Sequence, residues 1–352
     1  MNKAKEISVQ VSESKRTKRE YRILLLGLTV LLIGAILAAL CIGRYMVPVT
    51  DVVKILSSRI FSLERTWEEM AESVVYTLRL PRVIGAVLVG GALALSGSAY
   101  QGVFKNPLVS PDLLGVSSGA CVGAAIAILF SLGSVGVQVL AFIMGIVTVG
   151  LTVLIPKMLR NTSITMLVLS GVIVRGIMDS VMGIIKYLAD PETQLASITY
   201  WQMGSLTKVL AKDLLYIGPV ILAGVTVIIL LRWRINILSL GDQEARALGV
   251  PIGAVRGVII FCATLLTASS VCICGTIGWV GLVIPHLGRM ITGPDNTKSI
   301  PVSMLLGAVF MLFIDTLARV LTAMELPLSI LTGLIGAPFY IIILAKQRMR
   351  LS

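Results

Sequence analysis

Long uncharged stretches, separated by short charged ones, run through most of the chain. A stretch of about 20 apolar residues crosses a hydrocarbon core of about 30 Å as a helix. The uncharged run 257–288 is too long for one helix, and we place a break at Gly275. The pattern predicts ten spans. Two of them form a hairpin within residues 113–156 that turns near 131–134, and the other eight lie at about residues 23–43, 83–104, 164–185, 214–231, 257–274, 277–292, 300–318 and 326–345.

The composition leads to the same class of protein. Of 352 residues, 56% are hydrophobic and only 14% are charged, which is more apolar surface than a soluble domain can bury. Backbone amides in lipid must be hydrogen-bonded within the span, and the apolar runs lack the alternation of barrel strands. We therefore predict an all-α polytopic membrane protein with ten transmembrane helices. It forms one domain over residues 23–348, behind a polar tail over residues 1–22.

The net charge of +12 follows the tendency of cytoplasmic loops to carry Lys and Arg, and does not indicate nucleic-acid binding. The tail alone carries seven Lys and Arg, and the other segments on the two sides are nearly balanced. Because ten spans place both termini on one side, the tail predicts that both are cytoplasmic. The predicted location is a bacterial cell membrane.

Arg79 and Arg82 flank Pro81 at the outer end of the second predicted span, and Arg319 lies at the outer end of the ninth. The positive-inside tendency gives no reason for arginines there. The planar guanidinium fork binds carboxylates with two hydrogen bonds, which suits the docking of an acidic partner. The alternative is that these side chains reach out to lipid phosphates.

Arg175 and Asp179 lie one helical turn apart within the fifth predicted span, so that they can form an ion pair. Charged residues inside a membrane are costly and usually face a cavity or a partner. Two interpretations stay open, a helix that faces a pore and a structural pair that joins two helices. Elsewhere, Gly115, Gly119 and Gly123 share one helix face, which predicts close helix packing.

A cytoplasmic segment at about residues 236–254 contains the sequence DQEARAL between Gly241 and Gly249. Asp242 and Glu244 suit a helix N-terminus, and Gly249 suits the residue after its C-terminus. We predict a short helix parallel to the membrane surface, with an ordinary surface turn as the alternative.

Residues for catalysis are scarce in this sequence. There is no phosphate-binding G-x-x-x-x-G-K-[ST] motif and no H-E-x-x-H motif, and His286 is the single histidine. The five cysteines, at positions 41, 121, 262, 272 and 274, lie in apolar segments and match no metal spacing. We therefore predict neither an enzyme nor a resident cofactor or metal. A transporter remains, and an ion-coupled secondary transporter is the main alternative to an ATP-driven one.

Four blocks follow one another in order along the chain: RLPRVIGAVLVGGALALSGSAYQGVFKNPLVSPDLLGVSSGA, LSLGDQEARALGV, GTIGWVGLVIPHLGRM and ELPLSILTGLIGAPFYIIIL. Together they closely resemble the FecCD-type permease subunits of ABC importers for iron-siderophores, haem and cobalamin. The resemblance covers about residues 30–348 and leaves out the tail and the segment 58–74.

The resemblance implies a dimer of ten-helix permeases, made with a second copy or with a close relative. It implies two cytoplasmic ATP-binding subunits and an extracytoplasmic substrate-binding protein as partners, and an iron chelate as cargo, with a ferric siderophore ahead of haem or cobalamin. In such permeases the residues matching Arg79, Arg82 and Arg319 receive acidic residues of the binding protein. The residues matching the short cytoplasmic helix couple to the ATPase, here Gly241, Asp242, Glu244, Ala245, Leu248 and Gly249.

Overall fold

The computed structural model describes residues 2–61, 64–161, 163–322 and 324–351, with side chains in these ranges from Lys18 to Ile342 and at Ala345. The described residues form helices and connecting segments, without a strand. The helices are α1 Asn2–Cys41, α2 Val49–Ser57, α3 Glu69–Ser73, α4 Leu80–Phe104, α5 Val116–Leu129, α6 Gly133–Met158, α7 Ile164–Leu188, α8 Gln194–Met203, α9 Ala211–Leu240, α10 Asp242–Ala247, α11 Ile252–Cys274, α12 Val280–Thr292, α13 Asn296–Val320 and α14 Leu328–Leu351.

The ten predicted spans correspond to ten of these helices. Within the described residues, seven are long and apolar enough to cross a membrane: α1, α4 with the turns before it, α6, α7, α9, α11 and α13. Three shorter apolar helices, α5, α12 and α14, lie at the other predicted positions. The predicted hairpin turns between Leu129 and Gly133, and the predicted break falls at Gly275, whose φ is +73°. The all-α polytopic fold is confirmed.

Several predicted helix ends are wrong, because a helix does not have to end where charge begins. α9 continues past residue 231 through Arg232 and Arg234 to Leu240, so that it extends beyond its apolar part. α1 begins at Asn2, so the polar tail and the first span form one helix. Two short helices, α2 and α3, lie between the first two spans, where the pattern of apolar runs predicts no span.

α4 lies at the centre of the bundle and packs against α9, α11, α12 and α13. Two of its glycines permit backbone contact with neighbouring helices. A Cβ atom built on Gly90 would lie 2.3 Å from the carbonyl oxygen of Gly307 in α13. A Cβ atom built on Gly97 would lie 1.9 Å from the carbonyl oxygen of Gly281 in α12. Small residues at such crossings let helix backbones approach closely, which is how helices associate in lipid.

α5 and α6 pack in the same way along the predicted glycine face. A Cβ atom on Gly119 would meet the Thr148 hydroxyl at 2.0 Å, and one on Gly123 would meet the Leu140 carbonyl oxygen at 2.2 Å. Both partners belong to α6. The prediction of close packing along this face is confirmed, and it explains how the short helix α5 is held inside the bundle.

α9 connects two regions of functional interest. It begins at Ala211, after a segment whose Thr207 lines one cavity together with the predicted arginines, and it ends at Leu240, next to α10. Thirty residues of helix rise about 45 Å at 1.5 Å per residue. The arginines and the short helix α10 therefore lie at opposite ends of the bundle, as the predicted spans require.

Candidate functional site

A cavity of about 350 Å³, which we call the central cavity, opens between α5, α7, α8 and the break before α12. Polar and apolar side chains share its wall. It is lined by Asp112, Ser117, Ser118, Cys121, Arg175, Asp179, Met182, Gln202, Thr276, Ile277, Gly278, Trp279 and Ser329.

The charged residues of the central cavity form one group around Arg175. Its Nε lies 3.7 Å from Oδ2 of Asp179, which confirms that the two residues pair. Its Nη1 lies 3.3 Å from Oδ2 of Asp112, on the 3-10 turn Pro111–Leu114. The side chains of Arg175 and Asp179 are more than half exposed within the subunit, which places the pair on the cavity wall. Sequence reasoning missed Asp112, because it lies 63 residues from Arg175.

Asp112 is fixed in place by the start of α5. Its Oδ1 accepts a hydrogen bond of 3.1 Å from the backbone N–H of Ser117, one of the unpaired donors of the first helical turn. Gly115, with a φ of +80°, makes the sharp turn between the 3-10 turn and α5. The carboxylate that faces Arg175 is therefore held by the backbone on one side and by the ion pair on the other.

A second cavity of about 280 Å³, which we call the arginine cavity, lies at the other end of α4 from Lys105. The structure brings the three predicted arginines together here, although Arg319 is 237 residues from Arg82 in sequence. Its lining is Gly43, Arg44, Tyr45, Val74, Leu78, Arg79, Arg82, Thr207, Arg319 and Glu325.

Arg79 stabilises the end of α1. Its Nη1 donates to the carbonyl oxygens of Leu40, at 2.6 Å, and Cys41, at 3.0 Å, and its Nη2 donates to the carbonyl oxygen of Tyr45. The last carbonyl groups of a helix have no partner within the helix, and a guanidinium supplies the missing donors. Gly43 makes room for this side chain, since a Cβ atom there would lie 2.5 Å from Nη2.

Arg82 and Arg319 share a buried carboxylate. Asp315 in α13 is fully buried, and its Oδ1 accepts a hydrogen bond of 2.8 Å from Nε of Arg82. Its Oδ2 lies 3.3 Å from Nε of Arg319. Arg319 also donates to the carbonyl oxygen of Ala39 at 3.1 Å. The three predicted arginines are therefore bonded within the chain, and each is less than a tenth exposed. This burial contradicts the alternative in which they reach out to lipid.

Two further charged residues of the arginine cavity were not predicted. Glu325 accepts a hydrogen bond of 2.9 Å from Nη1 of Arg82 and another from the Thr207 hydroxyl. Arg44 is exposed at the rim, where its Nη2 donates to the carbonyl oxygen of Thr322 at 3.2 Å. Tyr45 donates to Glu68 at 2.7 Å, and this bond raises the pKa of the tyrosine, which keeps the phenol protonated.

At the opposite end, α10 confirms the predicted short helix, but one residue is oriented differently from the prediction. Ala245 is fully buried against the subunit's own core, so the expectation that it contributes a partner-facing surface is wrong. Gly241 is buried too. The exposed residues are Gln243, Glu244, Arg246, Ala247, Leu248 and Gly249.

α10 is tied to its neighbours through Asp242. Oδ1 of this residue accepts a hydrogen bond of 2.9 Å from Nη2 of Arg256, at the start of α11, and lies 3.7 Å from Nζ of Lys105, after α4. Gly249, with a φ of +72°, follows the helix as predicted. α10 is therefore linked to α11 and to the end of α4.

Among the residues that the structure describes, no group of three or more His, Cys, Asp or Glu has an arrangement that holds a metal ion. The five cysteines are buried, and none is in a disulfide. His286 packs edge-on against the ring of Tyr340.

Residues 30–346 match the FecCD transport family. The chain belongs to this family. It is the permease subunit of an ABC importer, a multi-pass membrane protein that uses ATP hydrolysed by a separate subunit. Membership excludes the ion-coupled secondary transporter that the residues alone left open.

Relatives with known names cover most of the chain. It is 40% identical over 329 residues to the molybdate import system permease protein MolB of Haemophilus influenzae, covering 93% of this chain and 97% of that protein. It is 37% identical over 282 residues to the hemin transport system permease protein HmuU of Yersinia pestis, covering 78% and 84%. A solved inward-facing structure, described as of the metal-chelate ABC transporter type, aligns with a TM-score of 0.83 at 38% identity, covering 92% of this chain and 99% of that one.

Proposed function

We propose that this permease carries a large metal chelate, with a ferric siderophore ahead of haem or cobalamin, rather than an oxyanion such as molybdate. The observation that supports this choice is the charge of the central cavity. Arg175 faces the carboxylates of Asp112 and Asp179, which give this group a net charge of −1. A tetrahedral oxyanion needs a cation or hydrogen-bond donors that are not already neutralised. A neutral chelate needs only polar and apolar contacts, and the cavity wall supplies both.

Transport by the reconstituted permease–ATPase complex tests the cargo. We expect proteoliposomes with its binding protein to take up a neutral iron-labelled hydroxamate chelate at least about tenfold faster than molybdate. Asp179→Asn removes one carboxylate from Arg175 and should lower the ratio of chelate uptake to molybdate uptake. Glu192→Gln changes an exposed residue outside the cavity and should leave this ratio unchanged. Uptake of molybdate ahead of every chelate would contradict the proposal.

We further propose how the subunit meets its partners. The exposed face of α10 seats in the ATP-binding subunit, and its ties to α11 and α4 carry the motion into the bundle. The arginine cavity receives a carboxylate of the extracytoplasmic binding protein, since its lining carries four arginines and one glutamate. A second permease, the same or closely related, doubles this cavity so that it grips both lobes of one binding protein.

This arrangement requires both termini to be cytoplasmic and the arginine cavity to face outward. Reporter fusions after Thr66, before α3, and after Gly293, between α12 and α13, test it directly. We expect the first reporter to be active outside the cytoplasm and the second inside, because the basic tail fixes the orientation. The reverse pattern, or the same side for both, would contradict the topology.

A further inference from the structure

The arginine cavity already contains a carboxylate of its own chain. Arg82 has two acidic partners that differ in accessibility. Asp315 is fully buried in α13, whereas the Glu325 side chain is about one third exposed, at 32%. Glu325 lies between α13 and α14, where Leu326 donates its backbone N–H to the Ala318 carbonyl oxygen at 3.3 Å. Asp315 is thus a permanent partner of Arg82, and Glu325 is one that a second carboxylate can replace.

Glu325 also connects the arginine cavity to the segment 204–210, between α8 and α9. Its second oxygen accepts the hydrogen bond from Thr207. In the same segment Ser205 donates its backbone N–H to the Cys274 carbonyl oxygen at 2.7 Å, and Gly204 accepts from the backbone N–H of Leu328 at 3.0 Å. This segment therefore joins the end of α11 to the beginning of α14.

The same segment lies beside the wall of the central cavity. The hydroxyl of Thr276 donates to the carbonyl oxygen of Gln202, and both residues line that cavity. A Cβ atom built on Gly204 would lie 2.6 Å from the Thr276 carbonyl oxygen, so the segment and the wall are in direct backbone contact. A series of hydrogen bonds and backbone contacts thus runs from Arg82 through Glu325 and Thr207 to the central cavity.

We propose that Glu325 is an internal latch, which occupies Arg82 until a carboxylate of the binding protein displaces it. This inference rests on the proposed docking at the arginine cavity. Exchange of one carboxylate for another leaves the charge on Arg82 balanced, so docking stays reversible. Once released, Glu325 no longer accepts the hydrogen bond from Thr207. The segment 204–210 then becomes free to move next to the central cavity. Docking and opening of the cargo path are then coupled through one side chain.

Glu325→Gln tests the latch in the reconstituted permease–ATPase complex. The probe is the solute-binding protein that stimulates ATP hydrolysis by the wild-type complex. The amide in Glu325→Gln should compete less well for Arg82 than the carboxylate does. We therefore expect the affinity of the binding protein for the complex to rise about fivefold at low salt, and less at high salt. Glu192→Gln makes the same change of charge on an exposed residue outside the cavity and should leave the affinity unchanged. An unchanged or lower affinity in Glu325→Gln would overturn the latch.

Thr207→Val removes the other anchor of Glu325 and keeps its charge. We expect a smaller rise in affinity, with no further gain when it is combined with Glu325→Gln, because the two residues act as one unit. Thr207→Ser retains the hydroxyl and should behave as wild type. Fully additive effects would show that Thr207 and Glu325 act separately, which contradicts the latch. If the Glu325→Gln complex fails to assemble, the comparison of Thr207→Val with Thr207→Ser still tests the latch.

Arg44→Glu separates failure of the latch from failure of docking. Arg44 is exposed at the rim, so reversing its charge should weaken docking without disturbing the buried carboxylate Asp315. Weaker docking in Arg44→Glu with no change in Glu325→Gln would reject the latch and keep the docking site. No change in either variant would reject both.

Discussion

Replacing Asp315 by alanine should strongly destabilise the subunit, because this carboxylate pairs with two arginines of the arginine cavity. Asp315 is fully buried between Arg82 and Arg319, and both guanidinium groups are less than a tenth exposed. Removing one partner of a buried ion pair leaves an uncompensated charge, which costs about 3–5 kcal/mol. Arg82 keeps its ion pair with Glu325, whereas the hydrogen bonds that Arg319 keeps are to neutral acceptors, the Ala39 carbonyl oxygen and the Thr316 hydroxyl. We expect a large loss of folded protein.

The measurement is the midpoint of thermal unfolding of the purified subunit, together with its yield in the membrane. Glu69→Ala is the matched control, because it breaks the Arg65–Glu69 ion pair of 3.9 Å, in which Glu69 is 90% exposed. Exposed pairs of this kind contribute little, so the control should unfold nearly as wild type does. Asp315→Asn keeps the side-chain volume and one acceptor oxygen, so its unfolding midpoint should lie between those of Asp315→Ala and Glu69→Ala. Equal midpoints for Asp315→Ala and Glu69→Ala would show that the buried carboxylate does not hold the cavity together.

This role of Asp315 also affects how docking is tested. Charge reversal at Arg82 would place a glutamate beside Asp315 and Glu325, and like charges in a buried site disfavour the fold. Lost docking in such a variant would then follow from a damaged subunit. An exposed residue such as Arg44 avoids this ambiguity, since its guanidinium donates to a neutral group, the carbonyl oxygen of Thr322.

The hydrophobic pattern predicts the positions of the spans because charged side chains are costly inside lipid. It does not predict helix ends in water, where α9 continues through Arg232 to Leu240. The sequence and the resemblance single out the three arginines, but not the carboxylates of this chain that pair with them. Asp315 and Glu325 lie 233 and 243 residues from Arg82, and only the fold brings them together.

The phase of a short helix could not be predicted either. α10 has six residues, less than two turns, so the apolar periodicity is too short to show which face is buried. The resemblance places Ala245 among the coupling residues, yet its side chain packs beneath the helix and is fully buried. Leu248 is the large apolar side chain that the structure exposes in this segment. Which of the two residues is buried depends on how α10 packs against α9 and α11. These helices flank α10 in sequence, but the sequence does not show where they lie in space.

Leu248→Arg should therefore abolish coupling where Ala245→Arg would damage the subunit. Leu248 is 60% exposed at the end of α10, an apolar side chain without cover in the isolated subunit. Its backbone is fixed, since its N–H donates to the Glu244 carbonyl oxygen at 3.1 Å and Gly249 donates to that of Arg246 at 2.9 Å. A long cation in an apolar contact must be desolvated without a partner, which costs several kcal/mol at an interface.

We expect transport by Leu248→Arg to fall more than about tenfold, and less ATPase to co-purify, with insertion and thermal unfolding unchanged. Leu248→Met conserves volume and should retain coupling. Leu159→Arg is the matched control, because Leu159 follows α6 with the same exposure of 60% but lies outside the coupling segment. It should reduce transport little. Normal transport by Leu248→Arg would show that α10 does not seat in the ATPase, whereas equal losses in Leu248→Arg and Leu159→Arg would point to a general effect of added charge on this surface.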